Sequence, residues 1–147
     1  MPEPRRRLVS RIDHVGIAVR DLDAAITWYE EVFGLRVAHQ EVNDEQGVRE
    51  AMLAVGDPPT SYVQLLAPLS ASSPIARFLD RHGEGLQQVA YLVDDVEEVC
   101  ATLRARGIRV LYDDARRGTS GSRINFVHPQ DAHGVLIELV EKPTPEG

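Results

Sequence analysis

The sequence has a single cysteine, Cys100, which excludes an internal disulfide and leaves nothing to suggest an oxidising compartment. It has no apolar run long enough to span a membrane. The opening MPEPRRRLVS carries a basic run with no apolar segment behind it, so it does not read as a signal peptide. An excess of positive charge is also missing. The formal charge of −7 argues against a general nucleic-acid surface, while leaving room for a local basic patch that meets a small anion. A cytoplasmic chain with no membrane and no nucleic-acid partner is the expectation. The 147 residues, 43% hydrophobic and 27% charged, suffice for one domain with a real core. The tail Pro143–Gly147 is expected to fray.

The chain does contain an internal repeat. Ile12–Leu22, IDHVGIAVRDL, returns as Leu86–Val96, LQQVAYLVDDV, 74 residues later. The same offset carries Gln64, in YVQLLAP, onto Glu138, in VLIELVE. Each copy reads as strand, helix, then three strands. In the first, Ile12–Val19 alternates with period two, Asp21-Leu22-Asp23 offers a carboxylate helix cap, and Gly34 ends the helix. Strands over Leu35–Val42, Val48–Val55 and Tyr62–Ala67 follow, separated by NDEQG and GDPP. A connector holds a short helix, Ile75–His82. The second copy has a strand at Leu86–Val93, a helix capped by Asp94-Asp95 and closed by Gly107, and strands at Arg109–Tyr112, Arg123–Val127 and Val135–Val140. The Gly- and Ser-rich Arg116–Ser122 is expected to be mobile.

The predicted fold class is therefore α+β: one domain over 1–147, made of tandem βαβββ modules (about 12–68 and 86–142, connector 69–85) in a curved, barrel-like sheet. Apolar faces such as Val15, Ile17 and Val19, or Val135, Ile137 and Leu139, belong under the helices. The opposite faces carry His14, Gln64, Gln88 and Glu138, polar groups that are costly to bury unpaired. Alone, each would more often be a hydrogen-bonded filler. Equivalent positions on equivalent strands should converge, and an imidazole, a carboxylate and two amides around one cleft form a candidate divalent-metal site.

The stretch IDHVGIAVRDLDAAITWYEEVFGLRV, its second copy and the late IEL resemble the vicinal oxygen chelate superfamily. Within it, EQGVREAML, VQLLAPL, GEGLQQVAYLVDD and RINFVHPQDAHGVLIEL resemble the methylmalonyl-CoA epimerases. The resemblance runs from about Ile12 to Lys142. It implies a divalent ion (cobalt, zinc, manganese, nickel or magnesium) held by His14, Gln64, Glu138 and the residue at Gln88, where the family usually has His in GLHH and this chain reads GLQQ. It implies catalytic carboxylates at Glu50 and Glu138, an acyl-CoA thioester substrate and a homodimer. On spacing alone Glu50 reads as a solvated edge residue, whereas for Glu138, flanked by Ile137 and Leu139, a carboxylate paired with a buried Arg is the weaker reading.

The chemistry implied is removal of the C2 proton of a malonyl thioester and its return to the other face, with the ion stabilising the enediolate. Two carboxylates suit inversion. Ser122, Arg123 and Asn125 are substrate-binding candidates, and Arg116, Arg117 and Arg123 could meet coenzyme A phosphates. His39 and His82 have no evident partner, Cys100 reads as inert core, and Trp28 could pack on a partner. A glyoxalase-type lyase or isomerase and a non-catalytic binder of the same fold remain open at this point.

Overall fold

The computed structural model describes residues 6–144, so most of the expected frayed tail lies outside the described residues. The elements run β1 (Arg11–Ala18), α1 (Leu22–Phe33), β2 (Arg36–Asn43), β3 (Val48–Val55), β4 (Ser61–Pro68), α2 (Pro74–His82), β5 (Gly85–Leu92), α3 (Val96–Ala105), β6 (Arg116–Arg117), β7 (Arg123–Val127) and β8 (Ile137–Glu141). The helices begin at the caps. Asp21, Ser73 and Asp95 accept from the backbone N–H three residues on, at 3.0–3.1 Å, each bond removing an orphan donor of a first turn. Gly34 ends α1 in the left-handed conformation at φ +69°.

The eight strands form one sheet in the order β2-β3-β4-β1-β5-β8-β7-β6. The repeat is visible in the pairing. β1 runs parallel to β4 as β5 runs parallel to β8, and β1 and β5 meet antiparallel at the seam between the modules. The sheet curls around a cleft. On its convex side α1 packs Leu22 and Ile26 on Val19, Leu53 and Leu65, and α3 packs Val96, Val99 and Cys100 on Val93, Val127 and Leu139. Burying these faces is the main drive for the curl. Cys100 is core, as expected.

Three expectations are corrected. Arg109–Tyr112 forms no ladder; only an isolated bridge joins Val110 to Val127, and the side chain of Asn125 supplies the missing pairing. Val135 precedes β8 and is exposed rather than packed under a helix. Arg116–Ser122 is not free. It crosses the mouth of the curl to β2, where Asn43 donates to the Arg117 carbonyl (3.3 Å) and the Ser120 N–H donates to Glu41 (2.6 Å). The two edges of the sheet are thereby tied together. The connector helix α2 sits on the cleft side, packing Ile75 and Leu79 on Ala18, Val48 and Leu66.

Candidate active site

His14 on β1, Gln64 on β4, Gln88 on β5 and Glu138 on β8 all reach the cleft and touch one another. Gln88 Nε2 donates to Glu138 Oε1 at 2.6 Å and to Gln64 Oε1 at 3.1 Å. His14 Nε2 lies 3.2 Å from the same Glu138 oxygen. Gln64 Nε2 donates to Glu50 Oε2 at 2.9 Å, which brings Glu50 from β3 into the same line. Glu50 and Glu138 thus stand at the two ends of an amide bridge. Each of these side chains is buried, and each spends its polarity on a neighbour. Glu138 pairs with an imidazole and not with an arginine. Gln88 lies flat over Gly16, its register partner across the seam. A Cβ at Gly16 would come within 2.6 Å of the Gln88 amide carbon, so the glycine makes the bridge possible.

Sequence reasoning missed Asp13, Thr119 and Glu41. Asp13 is buried beside His14 and accepts from Nδ1 at 2.8 Å. Strict alternation would put it on the convex face; a register shift between Ile12 and His14 turns it inward. Its other oxygen lacks a well-aligned hydrogen bond and is held by charge, 3.1 Å from Lys142 Nζ. Thr119, in the crossing segment, donates to Glu50 Oε1 and accepts from Gln64 Nε2 at 3.2 Å. No local sequence signal marks it, because its partners lie 55 and 69 residues away. His39 does have a partner, Glu41, at 2.7 Å. His82 stacks on Phe78.

Of the substrate-binding candidates, the structure brings only Ser122 to the cleft, buried beside His14 and Glu138. Ser122, Ile124 and Phe126 turn inward, so Arg123 and Asn125 must turn outward. Arg123 pairs with Glu97 (3.2 Å) and Glu141 (3.7 Å), while Asn125 holds both backbone groups of Tyr112. The structure does not bring these two side chains to the cleft.

The charge states follow from the surroundings. Burial pushes Glu50 up to about 7; the hydrogen bond from Thr119 pulls the other way, and the charge of Glu41 adds to the rise. Burial alone would lower His14, but its bonds to Asp13 and Glu138 outweigh that and raise it to about 9. Burial would raise Asp13, yet the bond from His14 and the charge of Lys142 hold it below the ordinary range.

Two cavities meet at this polar line. One, about 190 Å³, has Glu50, Gln64, Gln88 and Glu138 at its base and apolar walls including Val48, Leu66, Ile75, Ile124 and Phe126. The other, about 400 Å³, opens beside His14, Tyr62, Ser122 and Lys142. Glu138 and Thr119 border both.

The donors suit a divalent cation. Asp13 engages His14 Nδ1 and turns Nε2 toward Glu138 Oε1, the orienting arrangement usual for a metal-binding histidine. Among the described residues no group of three or more His, Cys, Asp or Glu is placed to hold a metal, so amide oxygens from Gln64 and Gln88 have to complete the set. A cation at Nε2 would compete with the proton that His14 otherwise keeps.

The family model described as Glyoxalase/Bleomycin resistance protein/Dioxygenase superfamily matches residues 13–126. A crystal structure of methylmalonyl-CoA epimerase from Mycobacterium tuberculosis is 54% identical, covers 97% of this chain and 94% of that one, and superimposes with a TM-score of 0.91. A Streptomyces coelicolor methylmalonyl-CoA epimerase variant in complex with 2-nitronate-propionyl-CoA is 48% identical, covering 92% and 99%, with a TM-score of 0.87. The ethylmalonyl-CoA/methylmalonyl-CoA epimerase of Cereibacter sphaeroides is 34% identical over 90% of this chain and 98% of that one.

Proposed function

Because the chain belongs to the glyoxalase/bleomycin resistance protein/dioxygenase superfamily and, within it, to the methylmalonyl-CoA epimerases, we propose that it interconverts the (R) and (S) forms of methylmalonyl-CoA. The observation that carries this is the pair Glu50 and Glu138, buried at opposite ends of the Gln64–Gln88 bridge on one cavity. Inversion at C2 needs a proton taken on one face and delivered on the other. Two carboxylates flanking the carbon do this without either crossing the substrate.

Glu50 is suited to the work near neutrality. Its pKa of about 7 lets it hold the proton in one half-reaction and release it in the other. Thr119 and Gln64 fix its two oxygens. Glu138 Oε1 receives His14 and Gln88, and Oε2 would be the atom that exchanges the C2 proton. His14, Gln64, Gln88 and Glu138 would hold the cation, which when bound supplies positive charge beside the oxygens that carry the enediolate's charge. Cobalt, zinc, manganese, nickel and magnesium are all candidates. Gln88, a weaker transition-metal donor than the imidazole usual in the family, favours the harder ions among them. The apolar cavity receives the 2-alkyl group and the start of the pantetheine arm, with water excluded from the carbanion. Ser122, which lines the larger cavity, would receive the substrate carboxylate, and the half-exposed Arg116 and Arg117 the phosphates of coenzyme A.

The proposed assembly is a homodimer. The outward face of α1 presents a clustered Trp28, Val32 and Phe33, an apolar surface to which a second copy could bind. No helix among the described residues is long and apolar enough to cross a membrane. The proposed location is the cytoplasm. A glyoxalase-type lyase and a non-catalytic binder both give way to the epimerase reading, since neither needs opposed carboxylates. The test is uptake of solvent deuterium at C2 of methylmalonyl-CoA, with and without a chelator. Exchange above the buffer rate that the chelator suppresses is expected; no exchange refutes the reading.

A further inference from the structure

The register of β2 on β3 sets Glu41 directly opposite Glu50, so two carboxylates lie side by side on paired strands. Such a pair is repulsive unless one of them is engaged elsewhere. Glu41 is engaged. Its Oε1 accepts the Ser120 N–H at 2.6 Å and lies 2.7 Å from His39 Nε2, and its Oε2 lies 3.9 Å from Arg117. It borders neither cavity. Ser120 holds φ +57°, a conformation that residues other than glycine seldom adopt. Glu41 therefore pins the crossing segment at a backbone point that would not hold itself there. The residue before that point is Thr119, whose hydroxyl meets Glu50 and Gln64 together.

We infer that Glu41 is a positioning residue: by gripping the Ser120 N–H it sets the Thr119 hydroxyl on Glu50, and through Thr119 it orients the carboxylate that exchanges the C2 proton. It acts without touching substrate. Orientation of this kind moves turnover more than binding, because a misdirected base still leaves the cleft open to the thioester. The inference rests on the epimerase reading.

The experiment compares Glu41→Ala, Glu41→Gln and Thr119→Val, singly and in pairs, in the full chain, by steady-state epimerisation and by hydrogen exchange at the Ser120 amide. Glu41→Gln keeps an acceptor for that amide and removes the charge. The expected results are a fall in kcat of about tenfold or more for Glu41→Ala with KM changed less than about threefold, and Glu41→Gln close to the parent. The Ser120 amide should exchange faster in Glu41→Ala and stay protected in Glu41→Gln. Adding Glu41→Ala to Thr119→Val should cost nothing further. Glu41→Gln as impaired as Glu41→Ala would overturn the inference in favour of a charge effect on Glu50, and so would effects that multiply. If Glu41→Ala does not fold, fast exchange of the Ser120 amide in the parent protein overturns it instead. A parent without epimerase activity refutes the function itself, while the Ser120 exchange comparison still reports on the anchor.

Discussion

Replacing Glu50 by Gln should make the protein more stable at alkaline pH and nearly inactive. Glu50 is 3% exposed, and burial moves its pKa from an ordinary 4.5 to about 7. The folded state thus keeps this proton to a higher pH than the unfolded chain. Its contribution to stability is intact below pH 4.5, is lost as pH rises, and is gone above about 7. At 1.36 kcal/mol per unit, the ionised carboxylate costs the fold about 3 kcal/mol. Glutamine has the same shape and cannot ionise. Its oxygen can accept from Gln64, and its amide N–H can donate to the Thr119 hydroxyl, which accepts as readily as it donates. Thermal unfolding of parent and Glu50→Gln, followed by circular dichroism at pH 4.5 and 8, gives the test. The variant should gain on the parent by roughly 6–12 °C between the two pH values. Every other titrating group is common to both proteins and largely cancels in that difference. Epimerisation should fall by about 10²- to 10⁴-fold. If the two stability profiles run parallel in pH, Glu50 ionises as in water and the cleft does not tune it.

Asp13→Asn should weaken cation binding by about 10- to 100-fold, since the orienting carboxylate behind His14 is lost; calorimetric titration of the chain with Co²⁺ measures this, and unchanged affinity would remove Asp13 from the site. Gln88→His should tighten the same titration by exchanging an amide for an imidazole. Equal affinity would mean that Gln88 serves only to bridge Gln64 and Glu138.

Much of this site is written in local pattern. Period-two alternation puts His14, Gln64, Gln88 and Glu138 on the faces away from the helices, and the 74-residue offset makes sister strands deliver them to one place. The same rule argued against grouping Ser122 with Arg123 and Asn125: adjacent strand residues point to opposite sides, and only Ser122 turns inward. The caps at Asp21 and Asp95 and the stop at Gly34 were equally legible, because each is satisfied within one turn of its own helix.

What the tertiary structure alone decided lies where that rule fails or where distant segments meet. A bulge in β1 brings Asp13 to the same side as His14, and alternation cannot anticipate an inserted residue. The Gly- and Ser-rich Arg116–Ser122 reads as loose because nothing nearby in sequence holds it. It is ordered by Glu41, Asn43 and Glu50, which reach it only after the sheet has curled. The pKa of Glu50 has the same origin. A carboxylate near a turn is solvated until that segment and α2 cover the cleft, and the desolvation that raises it comes from residues no local window contains.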